Sequence, residues 1–204
     1  VKRLTREGKV GHGGTLDPIA NGVLPVFLGQ ATRLMDPLVN GVKIYRARVR
    51  LGVATETYDS TGAVAGTGDP SGVIQANVEE VLESFKGVVD QTPPMYSALK
   101  RGGERLYDLA RAGFAVPREP RTVQIYRLVL CAWEPPEMVL EVECGRGVYI
   151  RSLAHDIGQA LGCGGHVTEL TRLLTGPFSL EEAITLDGLT EAVAAGSWQE
   201  LLYP

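Results

Sequence analysis

Asp17 closes the run Gly11-His12-Gly13-Gly14-Thr15-Leu16-Asp17-Pro18, which has almost no side-chain bulk around one carboxylate and one imidazole. Three glycines in four positions let the backbone take angles other residues avoid and let a large ligand come close. Asp17 precedes Pro18, which pushes it out of helical geometry towards an extended or turn conformation. The expected result is a carboxylate presented at a loop edge, either as the nucleophile of a site or as a plain Asp-Pro turn. The spacing fits neither a phosphate loop nor a dinucleotide fingerprint. Hydrolase chemistry has little to work with. No Gly-x-Ser-x-Gly is present, and His12, His155 and His166 are the only histidines, the last two expected to be structural.

Strands and helices must hold such a site. Tyr45, Ala47, Val49 and Leu51 alternate with Arg46, Arg48 and Arg50, the period of a strand with one buried face and one row of arginines. Those arginines meet either solvent or a polyanion. Tyr45 heads the apolar face, where a tyrosine buries its ring and keeps its hydroxyl usable, in a core or in a site. Leu140, Val142 and Cys144 alternate with Val139, Glu141 and Glu143 as another strand. Asn77 is expected to cap a helix with Val78, Val81, Leu82 and Phe85 as its stripe. Ile150, Leu153, Ala154, Ile157, Ala160 and Leu161 recur at helical spacing, and Gly162 ends that helix. Arg151 then sits in the first turn, where the helix dipole disfavours a cation. A carboxylate partner would relieve this. The glycine-rich stretch 62–72 reads as a hairpin connection. Hairpin signals outnumber crossover patterns, so the expected fold class is α+β, a mixed, largely antiparallel sheet with helices packed on it.

Hydrophobic residues make up 44% and charged residues 22% of the chain, enough to fill an ordinary globular core. No apolar run reaches membrane-spanning length, and nothing at the start reads as a signal segment. Cys131, Cys144 and Cys163 lack metal-ligand spacing and read as reduced, mostly buried thiols of a cytosolic protein. The net charge of −4 argues against a nucleic-acid partner until its distribution is considered. Residues 177–204 hold five acidic and no basic side chains. Residues 1–59 hold nine basic against five acidic, and residues 95–121 six against three. Two basic islands on a weakly charged body are compatible with local phosphate contacts.

Three further segments bear on the Asp17 loop: Lys43-Ile44-Tyr45-Arg46-Ala47, Pro93-Pro94-Met95-Tyr96-Ser97-Ala98-Leu99-Lys100 and Gly145-Arg146-Gly147-Val148-Tyr149-Ile150-Arg151-Ser152-Leu153. In this order, the four segments resemble the bacterial TruB-type tRNA pseudouridine synthases, which isomerise one uridine in the T-loop of tRNA. The resemblance runs from about Val1 to about Phe178. It implies the pseudouridine synthase fold, with a catalytic domain over residues 1–178 that lacks the first strand motif and carries an RNA-clamping insertion at 95–118. Residues 179–204 would form an acidic helical segment leading towards a PUA-type domain.

The resemblance also implies roles. Asp17 becomes the catalytic carboxylate, attacking either the uracil ring or the ribose, and Arg151 its charged partner. Tyr45 stacks on the target base and accepts or relays a proton. Tyr149 and Leu173 form walls of the base pocket. His12 fills the place left by the extruded uridine, offsetting part of the unstacking cost. Lys100, Arg101, Arg105 and Arg111 grip the RNA backbone, interleaved with aromatic residues. No metal and no cofactor is required. The implied partner is the T-arm stem-loop of tRNA, bound by a cytoplasmic monomer with no guide RNA and no membrane. The length of the 95–118 segment separates this chain from relatives that work in guide-RNA particles. Gly13, Asn21, Arg146 and Val148 depart from the family's usual residues, and none of them belongs to the charge pair. The competing reading is a tRNA-binding and folding module without catalysis.

Overall fold

The computed structural model describes residues 1–203 except Ala98 and Ala115, with the backbone alone at residues 100, 101, 105 and 111. In chain order the elements are α1 (Lys2–Thr5), β1 (Val10–His12), β2 (Ala20–Gly22), β3 (Val26–Leu28), α2 (Met35–Val39), β4 (Lys43–Leu51), β5 (Val53–Thr55), β6 (Val64–Thr67), α3 (Gln75–Ser84) and β7 (Gly87–Gln91). They continue as β8 (Lys100–Arg101), β9 (Glu104–Arg105), α4 (Leu106–Arg111), β10 (Arg121–Glu134), β11 (Glu137–Cys144), α5 (Ile150–Ala160), β12 (Gly165–Thr175), β13 (Phe178–Ser179) and α6 (Leu186–Ala195).

The central sheet runs β13-β12-β4-β11-β10-β7, antiparallel throughout, and β2 adds alongside β12 in parallel. This is the expected mixed sheet. Alternation sets its two faces. Ala47, Val49 and Leu51 of β4 and Met138, Leu140, Val142 and Cys144 of β11 are buried on the face covered by α5 and α3. Ile150, Leu153, Ala154 and Ile157 form the buried stripe of α5, which stops at Gly162 in the left-handed region. β5 and β6 form the hairpin arm that the glycine-rich stretch suggests.

One expectation is corrected, and one pair of open alternatives is decided. Asn77 lies inside α3 rather than ahead of it, and its side-chain oxygen accepts from the Ile74 backbone N–H at 3.2 Å. It satisfies the helix entrance from the third position, so the helix begins three residues earlier, with Ile74 in the cap position. The arginine row on β4 is matched by acidic residues on its neighbours. Arg46 pairs with Glu141 at 3.1 Å, and Arg48 with Glu137 at 3.3 Å and Glu169 at 3.6 Å. Arg46 and Arg48 thus belong to a solvated charge ladder on the open face. Cys144 and Cys163 are buried as expected, whereas Cys131 is exposed.

Candidate active site

The loop from Gly13 to Pro18 crosses the end of the sheet where β4 begins and α5 starts. Gly14 takes a positive φ of 97°, the turn that brings Asp17 back over the sheet. The Asp17 carbonyl accepts from the Ala20 N–H at 2.9 Å, closing a turn that leads into β2. Asp17 is partly exposed.

Arg151 occupies the first turn of α5 and is almost fully buried. Its Nη2 donates to Asp17 Oδ1 at 2.6 Å and to the Tyr96 carbonyl at 2.9 Å, and its Nη1 donates to the Thr57 carbonyl at 2.9 Å. The partner expected from the helix-dipole argument is therefore present. A second carboxylate joins it, since Asp59 Oδ2 lies 3.5 Å from Arg151 Nη1. Asp59 Oδ1 accepts from Thr57 Oγ1 at 2.7 Å, from Thr61 Oγ1 at 2.6 Å and from the Thr61 N–H at 2.9 Å. One buried cation is thus shared by an accessible carboxylate and a buried one.

Neighbouring segments fix this arrangement. Gln91 clamps the backbone of Tyr149, donating to its carbonyl at 3.0 Å and accepting from its N–H at 2.7 Å. Ser152 Oγ donates to the Thr92 carbonyl at 2.8 Å, so the start of α5 is tied to the end of β7. Tyr58, between Thr57 and Asp59, has φ 63°, an uncommon conformation for a residue with a side chain. Its ring stacks on His155, with centroids 4.0 Å apart. His155 lies one turn beyond Arg151, so the same helix face holds the arginine and the turn that serves it. Burial, assisted by Arg118, lowers the His155 pKa.

Two adjoining hollows meet at Asp17. The smaller, about 100 Å³, is lined by Thr15, Leu16, Asp17, Ala20, Tyr45, Val148, Tyr149, Ile150 and Leu170. The larger, about 700 Å³, opens on the other side and includes Asp59, Tyr96, Tyr107, Tyr149 and Arg151. Asp17, Tyr45, Tyr149 and Arg151 are therefore brought together as the sequence suggested. Burial raises the Tyr45 and Tyr149 hydroxyl pKa values, with Arg172 pulling Tyr45 the other way.

Leu173 does not line the small hollow, and Leu170 takes that place. Leu170 stands in the β12–β4 ladder opposite Ala47, whereas Leu173 is the extra residue at a register shift between Arg172 and Leu174. His12 is exposed at the end of β1 and lines neither hollow. The side chains of Lys100, Arg101, Arg105 and Arg111 lie outside the described residues. Their backbones form the short β8–β9 hairpin and α4. His166, buried, holds the Val53 carbonyl through Nδ1 at 2.8 Å, a structural role. Asp59 and Arg172 were not singled out from sequence. A Thr-x-Asp-x-Thr pattern at 57–61 is the local signal for Asp59, and Arg172 offers none beyond an arginine at an inward strand position.

Among the described residues no group of three His, Cys, Asp or Glu side chains is placed to hold a metal ion. No helix among them is long and apolar enough to cross a membrane.

Residues 2–150 match the family described as TruB family pseudouridylate synthase (N terminal domain), and residues 151–203 match the tRNA pseudouridylate synthase B C-terminal domain. A tRNA pseudouridine synthase B of Geotalea uraniireducens (strain Rf4) is 50% identical over 202 residues, 99% of this chain and 65% of that protein. The enzyme of the same name from Geobacter sulfurreducens is 46% identical over 202 residues, 99% of this chain and 66% of its own length. The chain thus spans just under two thirds of these relatives. Among solved structures, a Cbf5-Nop10-Gar1 complex aligns with a TM-score of 0.76 at 33% identity, covering 100% of this chain and 54% of that one. An H/ACA RNP bound to a substrate RNA containing 2'-deoxyuridine aligns at 0.70 and 30% identity, covering 98% and 48%.

Proposed function

This chain belongs to the TruB family of pseudouridylate synthases, and from that premise we propose that it isomerises a uridine in the T-loop of tRNA to pseudouridine. The observation that carries the reading is the Asp17–Arg151 pair, 2.6 Å apart at the junction of the two hollows and beside Tyr45. The reaction breaks the bond from N1 of uracil to the ribose and joins C5 to the same sugar carbon, with loss of the C5 proton and gain of one at N1. It needs a carboxylate, a proton acceptor and a hollow that takes one ring, which is the inventory around Asp17. Asp17 is the nucleophile, towards the ring or the ribose. Arg151 orients it, and Tyr45 lies against the base and relays the proton. Tyr149 and Leu170 wall the small hollow, which holds the single extruded ring. His12, exposed at the end of β1, occupies the stack that the uridine leaves.

The substrate is the T-arm stem-loop, gripped by the basic side chains of the 95–118 insertion. This takes place in the cytoplasm, where tRNA is, with the chain acting as a monomer. The solved neighbours described as Cbf5 and H/ACA particles represent guide-RNA assemblies. The length of the insertion and the identity to enzymes named for tRNA favour direct recognition. A binding module without catalysis would have no use for a buried cation shared by two carboxylates. The test is tritium release from C5-labelled uridine in an isolated T-arm stem-loop, comparing the parent with Asp17→Ala. Release by the parent alone is expected. Binding without release by either protein would leave the binding module as the correct reading.

A further inference from the structure

Resting on that reading of Asp17 and Tyr45, we infer that Arg172 is a positioning residue that locks the Tyr45 hydroxyl and the Asp17 loop into one frame. Arg172 is the largest fully buried side chain among the described residues, 1% exposed. Among the described residues no carboxylate forms an ion pair with it, in contrast to Arg151. A buried guanidinium without a counter-charge is costly, and an apolar side chain of similar volume would fill the space at less cost. Its contacts show what the cation does there. Nε donates to the Val23 carbonyl at 2.7 Å, and Nη2 donates to the Gly14 carbonyl at 3.2 Å. Gly14 lies three residues before Asp17 and Val23 six after it, so the two bonds hold both ends of the segment that carries the carboxylate.

The backbone of Arg172 grips the same segment. Its carbonyl accepts from the Val23 N–H at 2.9 Å. Gly22, opposite it in the β2–β12 pairing, has φ 100°, and a Cβ there would stand 2.2 Å from the Arg172 carbonyl oxygen. Only glycine permits that approach.

The third anchor is Tyr45. It is the direct cross-strand partner of Arg172 in the β12–β4 ladder, a spacing at which side chains touch. The guanidinium's charge acts on the phenol and favours its ionised form. The register shift that follows Arg172 ends the regular ladder there, as bulges do beside active sites. One side chain on a rigid strand therefore joins the loop that bears the nucleophile to the tyrosine that meets the base. Three groups surround the Tyr45 hydroxyl: Arg172 from β12, Cys144 from β11 and Asp17 from the loop. Burial raises the phenol's pKa and Arg172 opposes that rise, so removing the cation pushes it higher still.

The test uses the whole chain carrying tyrosine labelled at Cζ, followed by NMR through a pH titration, with the Tyr45 signal assigned by its loss in Tyr45→Phe. In Arg172→Gln the Tyr45 midpoint moves to higher pH while the other tyrosines stay in place. On the T-arm stem-loop kcat falls on the order of a hundredfold, with KM within about threefold, as expected when reacting groups are misplaced rather than binding lost. A folded Arg172→Gln with an unmoved Tyr45 signal, or with parental kcat, overturns the inference. Arg172→Lys keeps the charge and loses the planar fork. It retains a Tyr45 midpoint near the parent's yet loses at least about tenfold in kcat, and parental kcat in this variant overturns the inference even if the glutamine variant does not fold. A parent that converts no uridine refutes the proposed function instead, and the titration still decides the contact.

Discussion

The protein uses arginine–carboxylate pairs in two places, and they work differently. On the open face of the sheet, Arg46 and Arg127 converge on Glu141 at 3.1 and 2.8 Å, with the two arginine side chains more than half exposed. At the cleft, Arg151 is 3% exposed and serves Asp17 and Asp59 at 2.6 and 3.5 Å. The distances overlap, so geometry alone does not separate the two sites. Burial does. Water screens the outer ladder, which contributes little to stability. In the cleft Arg151 and Asp59 have given up their hydration and depend on their partners, so the loss of one is felt strongly. Glu141 is held below the usual carboxylate range by hydrogen bonds from Arg127 and Arg46. The stabilisation it brings is present above its unfolded pKa and fades as pH falls through the lowered one.

The largest expected effect is on turnover. Asp17→Asn is expected to slow conversion of the stem-loop by at least roughly a thousandfold while leaving affinity within about threefold, because backbone contacts dominate RNA binding. A wild-type rate in that variant would remove Asp17 from the reaction. Asp59→Ala strips the cation of its buried partner and is expected to cost about 3 kcal/mol of unfolding free energy, measured by urea denaturation. A loss no greater than that of a surface pair would erase the distinction between the two sites.

Charge reversal at Lys100, Arg101 and Arg105 is expected to weaken stem-loop binding about tenfold or more and to flatten its salt dependence. Arg46→Gln combined with Arg48→Gln should leave the salt slope unchanged. Equal slopes in the two sets would merge the ladder with the RNA surface.

Asp156 provides a half-buried carboxylate with no ion pair among the described residues, and burial raises its pKa to about 6. The folded state holds this proton more tightly than the unfolded chain. Stability therefore falls as pH rises from about 4 to about 6 and is level beyond. Asp156→Asn should remove that slope and raise stability at neutral pH by no more than about 1 kcal/mol, since the group is partly solvated. Thermal melts across the range check it, and an unchanged slope would assign the proton to another group. The smallest effect is that of Glu141→Gln, expected within about 1 kcal/mol of the parent at neutral pH.

Much of this architecture was legible from periodicity. The alternation in β4 and β11 and the helical spacing over 150–161 each survive in the fold, because a face buried across several residues overrides local irregularity. Asp17, Tyr45 and Arg151 were legible for another reason: each stands in one of the short motifs that carry the family resemblance. Leu173 misled because it is itself the extra residue at a break in the β12 register, while Leu170, three positions earlier, lines the small hollow. Sequence spacing does not reveal that shift. Likewise the arginines of β4 invited two readings, and their acidic partners lie on strands remote in sequence.

The sequence by itself determined β4, β11 and α5, the turn that presents Asp17 and the requirement for a partner at Arg151, since each follows from neighbours within a few positions. Only the tertiary structure decided that Asp59 shares that cation, that Leu170 rather than Leu173 lines the small hollow, and that Arg172 bonds to Gly14 and Val23 from a position opposite Tyr45. Those contacts join residues tens of positions apart, and a buried charge acquires its partners only when strands and loops close around it.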